Sequence, residues 1–236
     1  MSTDPATIHI GWRDHLFHLR MALSAARFVP RLPSAVLEEL FPGIDELTIP
    51  MRHEVRERAL LYAEAYVLSL ITAYAEPKRI FEIGTATGQS TLLMARQAPE
   101  AAIDTLDLGA ETPALGVQSD EPPWADVDSI GAAFHATEHA GRITQHFGDS
   151  ATFDFGPFTG AVDLFFVDGA HTYDYVRSDS KNALRALAPG GVIIWDDCNY
   201  QNPGVGKALH ELQAAGTEVY RVHGTRFVVH RSQDPA

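Results

Sequence analysis

The chain has 236 residues, 45% of them hydrophobic, which suffices for a single unit with one sizeable core. Lys and Arg total 18 against 31 Asp and Glu, so the net charge is 18 − 31 = −13, and between Arg96 and Arg177 the only Lys or Arg is Arg142. A phosphate backbone is repelled by such a stretch, which argues against nucleic acid as partner or substrate.

The N-terminal run MSTDPATIHIGWRDH has neither the basic n-region nor the apolar h-region of an export signal. No later run approaches the ~18 to 20 apolar residues needed to span a bilayer, so no membrane is expected and the cytoplasm is the expected location. Residues 1–50 read as a helical stretch from Trp12 to Phe28 and a connector punctuated by Pro30, Pro33, Pro42 and Pro50. This is an appendage or lid without a core of its own, and it must pack on its own domain or on another copy of the chain, so a homo-oligomer is expected. From Arg52 to Tyr74, Val55, Ala59, Tyr62, Tyr66, Leu70 and Ala73 recur at helical spacing until Pro77 stops the pattern.

Residues 51–236 then alternate short β-rich runs with helical patterns: IFEI at 80, IDTLDL at 103, RITQHF at 142, VDLFFVD at 162 and GVIIWDD near 190. That alternation predicts an α/β fold with a mainly parallel sheet covered on both faces. Near the end, two alternating runs at about 217–222 and 225–230 meet at His223-Gly224 and predict an antiparallel hairpin. The segment 109–129, rich in Pro, Gly and acids, fits no element and reads as a lid over the carboxyl ends of the strands.

The run IFEIGTATGQST, residues 80–91, is a strand, a glycine turn and a helix start. Glycine lets a ligand approach free backbone N–H groups with no Cβ in the way. The dinucleotide fingerprint G-x-G-x-x-G is one comparison, and it leaves a nicotinamide-dependent oxidoreductase as an alternative, but Ala86 stands where its second glycine belongs. The spacing Glu82-x-Gly84-x-x-x-Gly88 instead resembles the first motif of class I S-adenosylmethionine-dependent methyltransferases. The resemblance covers about residues 52–231 and implies a Rossmann-like, doubly wound, seven-stranded sheet ending in an antiparallel hairpin. It also implies a cofactor site made by Glu82, Gly84, Thr85, Gly88 and Ser90, by Asp107 at the end of the second strand for the ribose hydroxyls, and by Asp149 and Ser150 of HFGDSA for the adenine. Asp104 lies earlier in the same strand as Asp107.

A second acidic cluster closes the next two strands. VDLFFVDGAH ends in Asp168 with His171 three residues on, and GVIIWDD ends in Asp196 and Asp197. Two unit charges ~4 Å apart at an effective dielectric near 20 repel by roughly 4 kcal/mol, so three ionised carboxylates need protons, arginines or a cation beside them. Oxygen ligands suit Mg²⁺, Mn²⁺ or Ca²⁺. The pattern D-G-x-H followed by D-D resembles metal-dependent natural-product O-methyltransferases of the macrocin type. That likeness implies a divalent ion, such as Mg²⁺, on Asp168, Asp196 and Asp197, with His171 as a neutral base and a small hydroxylated acceptor. A cofactor-binding protein without turnover is the non-enzyme alternative.

Weaker features complete the reading. His135 and His139 sit four apart and suit a surface helix face; Cys198, the single cysteine, excludes an intramolecular disulfide, fits a reducing compartment and reads as a packing residue. Trp12, Phe17, Trp124 and Phe134 are candidates for an apolar acceptor pocket or for core and oligomer contacts.

Overall fold

The computed structural model describes residues 29–50, 60, 62–109 and 127–233. The Trp12–Phe28 helix, Trp12, Phe17 and Trp124, and most of the 109–129 segment lie outside these residues. Eight strands form one sheet: β1 (Ser34–Ala35), β2 (Arg79–Ile83), β3 (Ala102–Asp107), β4 (Ile143–Phe147), β5 (Val162–Val167), β6 (Leu187–Trp195), β7 (Tyr220–Val222) and β8 (Val228–Arg231). Their spatial order is β1-β7-β8-β6-β5-β2-β3-β4. Strands β2 to β6 are mutually parallel, and β8 runs antiparallel to both β6 and β7.

The sheet therefore has eight strands where seven were expected. The extra one, β1, lies in the Pro-punctuated connector and pairs in parallel with β7. Two residues are too short to leave a period-two pattern, and their strand state comes from the open edge of β7.

The helices are α1 (Leu37–Leu40), α2 (Tyr62–Ala75), α3 (Gln89–Gln97), α4 (Ala132–His135), α5 (Tyr173–Ala186) and α6 (Pro203–Ala214). One face of the sheet packs Phe81, Phe165, Ile193 and Trp195 with Val176 and Ala183 of α5 and Leu209 of α6. The other packs Ile80, Ile103, Phe166 and Ile194 with Leu68 and Ile71 of α2, Leu93 of α3, and Phe41 and Ile44. At roughly 1.5 to 3 kcal/mol for each large apolar side chain removed from water, these two layers dominate the stability of the sheet.

In α2 the buried face is Glu64, Ala65, Leu68, Ile71 and Thr72, while Tyr62 and Tyr66 are exposed. Of the predicted stripe, Leu70 is buried, Tyr62 and Tyr66 are exposed, and Val55 and Ala59 lie outside the described residues. Counting tyrosine as apolar hid a buried acid, Glu64. The pair His135 and His139 does not share a helix either, since α4 ends at His135. Among the described residues no helix is long and apolar enough to cross a membrane.

Candidate active site at the carboxyl edge of the sheet

Because β2 to β6 are parallel, their carboxyl ends share one edge, and the order reverses between β2 and β5. Such a switch point leaves a crevice where ligands bind. Gly84 leaves β2 there and donates its N–H to Leu106 O at 2.8 Å, while Asp168 leaves β5 and donates to Ile83 O at 2.8 Å. Gly84 has φ +99°, and a Cβ on it would lie 1.9 Å from the Asp168 carbonyl oxygen. Only glycine permits that contact. Gly88, at φ +81°, would drive a Cβ to 2.6 Å from the ring of Phe134, so Phe134 is packing beneath the turn and is itself buried.

The cofactor-type residues fall into two groups. Asp107 and Asp149 hold backbone at the open edge. Asp107 accepts from Ala86 N–H at 2.6 Å and from Leu108 N–H at 2.7 Å. Burial raises its pKa, against the lowering effect of those N–H groups. Asp149 accepts from Ala151 N–H at 2.9 Å. Tyr175, which the sequence reading missed, sits on it: burial first and then the hydrogen bond to Asp149 push the phenol up to about 12. Ser150 is buried beside Asp149.

Glu82, Ser90 and Thr85 point inward instead. Glu82 is fully buried and accepts from Ser90 Oγ at 2.5 Å, from Thr105 Oγ1 at 2.6 Å and from Thr91 Oγ1. Thr85 Oγ1 lies 2.6 Å from Thr105 Oγ1. Burial pushes Glu82 up to about 7, against these three hydroxyls. Its visible work is to tie β2, β3 and α3 together beneath the turn. Asp104 is a separate buried group, 2.8 Å from His146 Nε2 and 3.4 Å from Arg79 Nε.

The acid cluster gathers at the ends of β5 and β6. His171 Nε2 is 3.0 Å from Asp197 Oδ2 and 3.9 Å from Asp168 Oδ1. Asp197 has φ 59°, a left-handed backbone that Asp tolerates better than most residues. Its Oδ1 takes Arg226 Nη1 at 3.0 Å and Asn199 Nδ2 at 3.1 Å. Asp196 faces another way, with Oδ2 3.2 Å from Arg226 Nη2 and Oδ1 accepting from Asp197 N–H at 2.5 Å.

These contacts set the charges. Burial raises Asp168 and raises Asp196 well above the ordinary range. Asp197 also feels burial most, but the hydrogen bond and charge of His171, then Arg226, leave it lowered. Burial opposes a charge on His171 too, yet its bonds to Asp168 and Asp197 lift it to about 10. The two carboxylates thus favour the imidazolium form of His171 over the neutral imidazole.

Asp168, His171 and Asp197 each offer a ligand atom, all within 4.8 Å of one another. Two carboxylates and an imidazole fit a divalent ion that keeps water or acceptor oxygens in its remaining positions. Of the expected trio Asp168, Asp196 and Asp197, Asp196 stands apart: it turns toward Arg226, and His171 takes its place in the group of mutually close ligand atoms. Cys198 is buried, which pushes its thiol up to about 12 and agrees with a packing role. The sequence reading also missed Glu64 and Arg226. The β6–β8 register brings Arg226 there: Trp195 pairs with Val228, and two antiparallel steps onward Asp197 comes level with Arg226.

Comparison with known proteins bears on the family and the fold. No curated protein matches the chain in sequence. Solved structures resemble it in fold. An O-methyltransferase from Streptomyces achromogenes involved in tomaymycin synthesis, in complex with S-adenosylmethionine, is 21% identical with a TM-score of 0.54, over 92% of this chain and 99% of that one. A methyltransferase from Podospora anserina bound to S-adenosylhomocysteine is 16% identical with a TM-score of 0.56, over 97% and 100%. An O-methyltransferase from Bacillus cereus, also with S-adenosylhomocysteine, is 18% identical with a TM-score of 0.53, over 75% and 84%. A family model described as a methyltransferase domain matches residues 81–198, half of the chain, from the core of β2 through the acid cluster. The chain shares its fold with these solved methyltransferases and belongs to this methyltransferase family.

Proposed function

We propose that the protein transfers a methyl group from S-adenosylmethionine to an oxygen of a small hydroxylated acceptor, such as a phenol, a sugar or a secondary metabolite. One observation carries this reading: the glycine turn and the His171 cluster touch, with Gly84 seated against the Asp168 carbonyl. A methyl donor resting on the turn is thereby delivered beside a group able to manage a proton. The cofactor, when bound, supplies an electrophilic methyl whose C–S bond breaks as the acceptor C–O bond forms.

The chain's own residues do the rest. Asp107 and Asp149 keep lone pairs available beyond their backbone bonds and hold the hydroxyl and amine groups of the cofactor's nucleoside. Asp197 anchors His171, which takes the acceptor's proton once it has lost its own. Asp168 and Asp197 are the carboxylates that would hold a divalent ion, and such an ion lowers the pKa of an acceptor hydroxyl and favours the neutral imidazole. The few basic residues and the acidic middle of the chain disfavour a nucleic-acid acceptor.

Residues 1–50 belong to this reading as a cover over residues 51–236 and as the contact of a cytoplasmic homo-oligomer. Their described part supports the first role, since Phe41 and Ile44 are buried in the domain's own core. Light scattering tests the second, and a strict monomer at micromolar concentration removes it.

Formation of S-adenosylhomocysteine across a panel of hydroxylated compounds, with Mg²⁺ or Mn²⁺ added back after exhaustive EDTA treatment, tests the activity and the ion together. Turnover that survives EDTA in full removes the ion and leaves methyl transfer standing. Binding of S-adenosylhomocysteine with no turnover on any compound favours the silent cofactor-binding alternative, and calorimetric binding of NAD in its place would restore the oxidoreductase.

A further inference from the structure

Arg226 sits where the acid cluster needs a positive charge. Its backbone is pinned from both sides, N–H to Glu64 Oε1 at 3.2 Å and carbonyl to Cys198 N–H at 3.0 Å. The terminal hairpin therefore fixes the guanidinium against Asp196 at 3.2 Å, Asp197 at 3.0 Å and Glu64 at 3.5 Å. Glu64 is itself buried in α2, and its Oε2 has no hydrogen-bond partner. Three acids from two elements thus converge on one arginine brought by a third.

We propose that Arg226 is the resident cation of this site, competing with a divalent ion for the strand-end carboxylates. The inference rests on the reading that an ion binds at Asp168 and Asp197. A guanidinium neutralises a carboxylate through a planar fork and cannot be deprotonated, so its charge is permanent. It takes one oxygen of Asp196, whose other oxygen accepts from Asp197 N–H, and one oxygen of Asp197, and so leaves Asp168, His171 and the second oxygen of Asp197 as the group whose ligand atoms lie within 4.8 Å of one another. Ion affinity is then set by the hairpin: weak while Arg226 is in place, strong when its charge is gone. Asp196 is an anchor for Arg226 and not a ligand of the ion.

Mn²⁺ binding, read by the paramagnetic resonance of the free ion and independent of turnover, tests this on the full chain. Arg226→Gln is expected to tighten Mn²⁺ by tenfold or more, since removing a unit charge within a few ångströms of a dication is worth at least that at protein dielectrics. Asp196→Asn is expected to weaken Mn²⁺ binding less than Asp168→Asn does, because Asp196 adds charge to the site but no ligand atom. Equal or weaker binding in Arg226→Gln, a loss in Asp196→Asn as large as in Asp168→Asn, or no binding by any form overturns the proposal. Should Arg226→Gln fail to fold, the pair Arg226→Gln with Glu64→Gln removes one charge of each sign; because Glu64 is not among the ligand residues, a smaller tightening in the same direction is required of it. S-adenosylhomocysteine formation in EDTA separately judges whether turnover uses an ion at all.

Discussion

The two halves of the crevice hold their carboxylates by opposite means. Around the glycine turn, Glu82, Asp107 and Asp149 accept from hydroxyls and backbone N–H groups, all neutral donors. At the ends of β5 and β6, Asp197 is bracketed by His171 and Arg226, both cations. Neutral donors orient a carboxylate while leaving its charge open, and buried Glu82 accordingly rises to about 7. His171 and Arg226 together offset burial at Asp197, which is lowered, whereas Asp196 meets Arg226 alone and is raised. The turn is built for a ligand that needs acceptors in set places, the cluster for a reaction that moves charge.

The most damaging way to break this comparison is to strike where the halves meet. Gly84→Ala places a methyl group 1.9 Å from the Asp168 carbonyl on a backbone at φ +99°. A loss exceeding about 4 kcal/mol is expected, seen as little folded protein or as joint loss of S-adenosylhomocysteine binding and turnover. Next is His171→Ala, which should lower the methylation rate by roughly 10² to 10⁴-fold while cofactor affinity holds. Asp107→Ala should do the reverse. Its loss of a charged acceptor costs about 1.5 to 3 kcal/mol, about 10- to 100-fold in S-adenosylhomocysteine affinity by calorimetry, with the fold intact.

The smallest effect sharpens the contrast in charge. The folded pKa of Glu82, about 7, is raised above the ordinary 4.5, so the unfolded chain releases that proton first. The contribution is full below about 4.5 and is lost as pH climbs to about 7. In Glu82→Gln the fall in Tm between pH 5 and pH 8 should therefore shrink by a few degrees, with the remainder of the slope left to other raised acids such as Asp179. An unchanged slope would mean that Glu82 is ionised throughout.

The glycine turn and the strand-end acids were legible in the sequence because both are local patterns. Asp107 ends a strand, while Gly84, Gly88, Asp168 and Asp197 each follow one by a few residues, and parallel strands carry that spacing into space. Partners from distant segments were not legible. Arg226 meets Asp197 only through the β6–β8 register, and Glu64 meets Arg226 only because the buried face of α2 is not the one the tyrosines suggest. The same limit explains the direction of Asp196: alternation places it, but only the hairpin decides what its carboxylate contacts. Strand β1 was missed for a related reason, since its pairing lies wholly in its partner.

That two-residue strand also bears on how the chain folds. Ser34 pairs with Arg221, 221 − 34 = 187 residues away. Closing so long a loop carries an entropic cost that only a largely assembled sheet can offset. The β1–β7 pairing is therefore expected to form last and to open first, so that amide protons along this edge exchange ahead of those in β2 and β5. In a chain made from its N-terminus, the first of the described strands to emerge is thus the one that waits longest for its place.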